Sequence, residues 1–139
     1  MAVFNKFNQL SEDMGKGVHN FGTHQLKIAL TNTAPVAANA TYAALTAPLA
    51  TTNLSGATPF NVTTTSYTQT AGTASLVLVD VTLTATGAVG PFRYVVLYND
   101  TPTAPAKPLV GWYDYGSSVT MASGETFLTD FAATTLTLV

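Results

Sequence analysis

The polar and apolar positions of this chain alternate with a period of two over most of its length, and they break from that period only at the start. Phe4, Phe7, Leu10 and Met14 recur at spacings of three and four, the mark of one apolar helix face, with Glu12 and Asp13 directed elsewhere. Gly15 and Gly17 then stop the pattern. The spacing predicts a short amphipathic helix over 3–17. It either caps an open end of its own sheet or serves as an arm that docks on a partner.

From Leu26 onward the period is that of strands. Leu26, Ile28 and Leu30 share one face of a strand over 26–31, which Asn32-Thr33-Ala34-Pro35 ends. Residues 60–69 form a Thr-rich strand. Over 74–86, Val77, Val79, Val81 and Leu83 line one face, and Leu76, Leu78, Asp80, Thr82 and Thr84 line the other. Further strands are predicted at 92–99, 108–115, 117–121, 125–131 and 134–139, with Ala122-Ser123-Gly124-Glu125 as a tight turn. About eight strands follow one another with turn signals between them and no intervening helix long enough for a parallel crossover. The predicted class is all-β, a single-domain antiparallel jelly roll or β-sandwich with a short N-terminal helix. Its parts are an N-terminal arm at 1–22 and a β domain at 23–139. No internal repeat is visible.

One segment resists the pattern. Residues 33–60 are weakly periodic and interrupted by Pro35, Pro48, Gly56 and Pro59, and they hold no charged residue. Disordered linkers are usually charged, and long connections in compact domains usually have a function. The expectation is an ordered, extended loop that lies on a neighbouring subunit.

Composition sharpens this picture. The chain has 139 residues, of which 9% are charged, with a net charge of −2. An ordinary soluble domain carries about 25% charged residues. Thr and Ala make up about a third of the chain. A surface of hydroxyl, amide and methyl groups suits a protein docked in an assembly, and a secreted-type β domain fits as well. With no cysteine, disulfides and thiolate metal sites are excluded. Lys6, Lys16, Lys27, Arg93 and Lys107 are scattered, so the concentrated positive footprint of a nucleic-acid binder is missing. No apolar run approaches the ~20 residues of a membrane span. The first residues lack the order of a secretion signal, and the expectation is a protein made and used without export.

The candidate chemistry is sparse. His19 and His24 are five apart, whereas helical zinc pairs stand four apart beside a glutamate, and a metal site needs three or four ligands. The expectation is that both imidazoles bond the backbone where the N-terminal segment meets the first strand. Asp80, Asp100, Asp114 and Asp130 are candidate acids, and a glycosidase needs two carboxylates facing across a cleft. Asp114 lies beside Trp112, Tyr113 and Tyr115, which superficially resembles a sugar site. Alternation puts Trp112 and Asp114 on one strand face and the two tyrosines on the other, so a strand anchored by aromatics on both faces is the simpler reading. No nucleophile elbow or phosphate loop is present. The expectation is a protein without catalytic residues, metal or cofactor.

Four segments together carry a resemblance: His19-Asn20-Phe21-Gly22, Leu26 to Pro35, Gly90-Pro91-Phe92-Arg93-Tyr94-Val95-Val96-Leu97-Tyr98-Asn99-Asp100, and Gly111-Trp112-Tyr113-Asp114-Tyr115-Gly116. They resemble small virion proteins of tailed phages, above all the capsid cement (decoration) proteins, over residues 4 to 131. Residues 9–17 depart from that pattern, because Gly15 and Gly17 shorten a helix that the group carries longer. The resemblance implies a jelly-roll protein on the outside of an icosahedral shell, made in the host bacterial cytoplasm, that bridges major capsid subunits as symmetric dimers. Neither nucleic acid nor membrane is an expected partner.

Three contact regions are expected: the Phe4/Phe7/Leu10 face; the loop with Pro35, Tyr42, Leu45 and Leu49; and a sheet edge at Leu136 and Leu138. The alternatives are a phage tail or fibre component, and a carbohydrate-binding module that uses Trp112 with Tyr113 or Tyr115.

Overall fold

The computed structural model of the chain describes residues 3–132 and 134–138. Within them, ten strands form three antiparallel sheets in a sandwich-like arrangement. The largest sheet has the order β1-β8-β7-β2-β3, built from Phe4–Lys6 (β1), Leu26–Thr31 (β2), Asn61–Val62 (β3), Val89–Asn99 (β7) and Leu109–Met121 (β8). A second sheet has Leu136–Leu138 (β10), Thr73–Leu78 (β5) and Thr64–Thr70 (β4) in that order, and a third pairs Val81–Thr84 (β6) with Thr126–Thr129 (β9). The all-β, single-domain expectation holds.

β2 spans the same six residues as the predicted strand and pairs with β7 along its whole length, from Leu26↔Asn99 to Thr31↔Tyr94. The predicted strands at 108–115 and 117–121 are one strand, β8. It stays continuous because Gly116 takes a positive φ of 85° and donates its N–H to Asp114 Oδ1 at 2.8 Å. The last predicted strand reduces to β10, and Val139 lies outside the described residues.

Two expectations are corrected. The 3–17 segment is not one helix. Phe4–Lys6 joins the main sheet as β1, and the helix α1 is limited to Gln9–Gly15. Phe4 faces Tyr113 and Lys6 faces Gly111 across β8, so pairing with a long strand overrides the helical spacing. A detached arm is therefore replaced by an edge strand of the main sheet.

The strand expected over 74–86 is two strands in two sheets. The buried positions are Leu76 and Leu78 in β5, then Val81 and Leu83 in β6. The inward parity thus shifts by one residue at Val79–Asp80, leaving Val79 49% exposed. Asp80 Oδ1 holds the break by accepting the Phe131 N–H at 2.8 Å.

The main sheet is covered on both faces, which accounts for the unbroken apolar run Val95-Val96-Leu97-Tyr98 in β7. Val95 and Leu97 face a core shared with Leu76, Leu78, Leu83, Phe131 and Leu136. On the opposite face, Phe7, Ala29, Val96, Tyr98 and Leu109 form a second cluster, roofed by Tyr42, Leu45 and Trp112.

Candidate interaction surface

The expected contact regions fare differently. Phe7 and Leu10 are 2% and 1% exposed, inside the protein's own core, and Phe4 is half-buried against Tyr113 with ring centres 5.2 Å apart. This face is spent on the fold and is not free to dock. Burial of an apolar aromatic ring against its own sheet is favourable without any partner. β10 is the outer strand of its sheet, as the edge reading requires. Leu136 nevertheless points into the core, Leu138 is half-buried, and Thr137 is the residue exposed there.

The 33–60 segment is ordered and is bonded along its own sheet. Asn8 N–H reaches Ala37 O at 2.8 Å, Tyr42 N–H reaches Lys107 O at 2.9 Å, Leu49 N–H reaches Leu30 O at 2.8 Å and Ser55 N–H reaches Thr84 O at 2.9 Å. Thr31 Oγ1 donates to Thr46 O at 2.7 Å. Pro35 is buried, while Tyr42, Leu45 and Leu49 are half-buried and turn inward. The outer side presents Val36, Ala43, Ala44, Thr46, Ala47 and a run from Ala50 to Asn53. The neutral surface is wider than the sequence pattern indicated, since no residue from 28 to 79 is charged. The charge-free stretch therefore includes β3, β4 and β5 as well.

The aromatic row in β8 is not a shared platform. Trp112 packs on Phe7 with ring centres 4.6 Å apart. Tyr113 is buried on the other face between Phe4 and Phe131, and Tyr115 meets Phe127 edge-on at 5.1 Å. Burial pushes both tyrosine hydroxyls up to about 12. These three residues are anchors of the strand.

Three of the four aspartates have partners of their own, and Asp130 is exposed. Asp114 takes Arg93 in a two-pronged pair at 2.7 and 3.1 Å, and that bond together with the Gly116 N–H holds its carboxyl below the usual range. Asp100 pairs with Lys27 at 3.3 Å, and Asp80 holds the Phe131 amide. No two of the four are bonded into an acid–base pair.

His19 and His24 do converge, on a side chain that sequence reasoning missed. Asn99, 0% exposed in β7, directs its Nδ2 at His19 Nδ1 (3.1 Å) and at His24 Nδ1 (2.9 Å). Asn20 N–H also donates to His24 Nδ1. The imidazole lone pairs are thus occupied by an amide donor, which is incompatible with holding a metal there. No cluster of three or more His, Asp or Glu suited to a metal occurs among the described residues. His19 bonds a side chain and not the backbone, while His24 does take a backbone amide. Asp13, missed too, closes the network from α1, with Gln9 Nε2 donating to its Oδ1 at 3.2 Å.

Among the described residues no helix is long and apolar enough to cross a membrane. Set beside known families, curated proteins and solved structures, the chain matches no family model, no curated protein and no solved structure.

Proposed function

We propose that the protein is a non-enzymatic structural protein of a tailed-phage virion. In this reading it binds the outside of the icosahedral capsid and cements neighbouring major capsid subunits, as a dimer.

The observation that carries this reading is the charge-free stretch of residues 28–79, of which residues 33–60 lie as an ordered layer along the main sheet. Burying such a surface against a partner desolvates no ions, and so avoids the several kcal/mol that each unpaired buried charge costs. A single contact of this kind is weak, but many copies on one shell act together. Binding the assembled shell and not the free subunits stabilises the shell by mass action.

The test is the heat stability of empty shells with and without saturating protein. The reading expects disruption to move to higher temperature in proportion to occupancy. Unchanged disruption at full occupancy removes the cementing role, and a handful of copies per particle moves the protein to the tail.

A further inference from the structure

Beside the neutral layer lies a cleft of about 330 Å³, lined among others by Lys27, Tyr42, Leu49, Phe60, Asn61 and Tyr98. It opens because β3 covers β2 at just two positions, Leu26↔Val62 and Lys27↔Asn61. Past them the chain touches β2 once through Ile28 N–H to Phe60 O at 2.9 Å, and again through Leu49 N–H to Leu30 O at 2.8 Å. The space between those two attachments is the cleft.

Register builds its floor. Lys27 pairs with Tyr98 on one side and with Asn61 on the other, so all three side chains leave the same face of the sheet. Tyr42 leans on Tyr98 with ring centres 4.9 Å apart and an angle of 52° between planes. Lys107 Nζ sits 5.1 Å from the centre of the Tyr42 ring, which fixes that ring in place. Burial pushes the Tyr98 hydroxyl up to about 12, so it stays a neutral donor at ordinary pH.

The lining selects the ligand class. Lys27 is neutralised by Asp100 at 3.3 Å, and an ionic ligand would have to break that pair. A purely apolar ligand would leave the Lys27 ammonium facing it without compensation. A ring with C–H faces and hydroxyl edges meets both demands. Its faces rest on Tyr42 and Phe60, and its hydroxyls meet Lys27 and the Asn61 side chain along the lining. The volume lies at the small end of the ligand-pocket range, about 300–1,000 Å³, enough for one ring.

We infer that this cleft is a binding site for one neutral pyranose residue. The inference is independent of the capsid reading, since it needs no shell, although Ala50 and Thr51 border both the cleft and the outer side of the loop.

The test is amide NMR of the whole protein titrated with neutral methyl pyranosides, with charged uronic acids, and with neutral oligosaccharides that carry the same sugar. Chemical-shift changes confined to Lys27, Ile28, Phe60, Asn61 and Tyr98 are expected with at least one neutral pyranoside. A tighter response to the oligosaccharide identifies a glycan as the source, and equal responses identify the free sugar. Asn61→Ala, which removes a side chain lining the cleft, is expected to weaken binding about tenfold, or 1.4 kcal/mol, with an unchanged spectrum elsewhere. Tyr115→Phe, on the opposite face, leaves affinity unchanged. No response to any neutral sugar, a response to uronic acids alone, or shifts mapping elsewhere would overturn the inference.

Discussion

His19 Nε2 stands 4.0 Å from Asp13 Oδ2, and neither atom has a hydrogen-bond partner. Both side chains are almost wholly buried. Because His19 Nδ1 accepts from Asn99, the imidazole proton sits on Nε2 and faces the carboxylate. Burial lowers the His19 pKa to about 4, with Asp13 opposing the shift and His24 adding to it. The unfolded chain binds this proton near pH 6.5, so folding resists protonation in between. Stability should be unaffected above pH 6.5, fall as the pH drops from 6.5 toward 4, and level off below. The loss is about 3 kcal/mol at about 1.4 kcal/mol per pKa unit. Urea unfolding at a series of pH values measures it, and His19→Gln should flatten that part of the curve. Identical slopes in both proteins would place the acid sensitivity elsewhere.

Asn99 offers a sharper test of the same network. Its Nδ2 serves both imidazoles and its Oδ1 accepts the Thr101 N–H at 3.2 Å. Asn99→Asp keeps the shape but sets an acceptor against two acceptors. At pH 7 it should cost about 2–4 kcal/mol, as a buried group loses its partners. The variant should then recover stability as the pH falls, because a protonated His19 imidazole can donate to the new carboxylate. Thermal denaturation at pH 7 and pH 5 reads the sign directly. A variant that weakens further in acid contradicts the assigned donor roles.

Gly111 is where β1 meets β8. A Cβ there would stand 2.6 Å from Asn5 O and would also strike the Phe4 ring. Gly111→Ala should destabilise the protein by about 1–3 kcal/mol, as overpacked sites do, and should speed amide exchange in residues 4–6 first. Exchange rates unchanged in β1 would mean that the strand is not held by this close approach.

The N-terminal segment also bears on stability. Phe7 packs on Trp112 and Leu10 joins the main core. Phe7→Ala should cost about 3–5 kcal/mol, and removal of residues 1–17 should yield a chain without a cooperative thermal transition. Calorimetry separates the cases. A truncated chain that melts cooperatively near the parent temperature would return this segment to the status of a detachable arm.

The parts of this fold legible in the sequence are those that local patterning controls. Leu26, Ile28 and Leu30 alternate until Pro35 forbids continuation, and β2 ends where that predicts. The break at Val79–Asp80 was hidden because apolar residues occupy both parities from Leu76 to Leu83. The bond that selects between them comes from Asp80 to Phe131, 51 positions away. Spacings of three from Phe4 to Phe7 to Leu10 suit a helix, yet Phe4 serves a strand because β8 offers it a partner more than 100 residues later. The same distance problem concealed Asn99 and Asp13, whose meeting with His19 and His24 exists only once β7 lies beside the N-terminal segment. The neutrality of the loop was visible directly. Its attachment to its own sheet was not, since backbone bonds to Leu30, Thr84 and Lys107 leave no trace in side-chain identity.

The central claim is that a neutral surface carries docking to a phage shell. Co-sedimentation of the purified protein with empty shells, counting bound copies at low and at high salt, tests it most directly. The account predicts a copy number comparable to that of the major capsid protein and little change in occupancy with salt, because interactions without charge are not screened. No binding, or binding that disappears as salt rises, would contradict it.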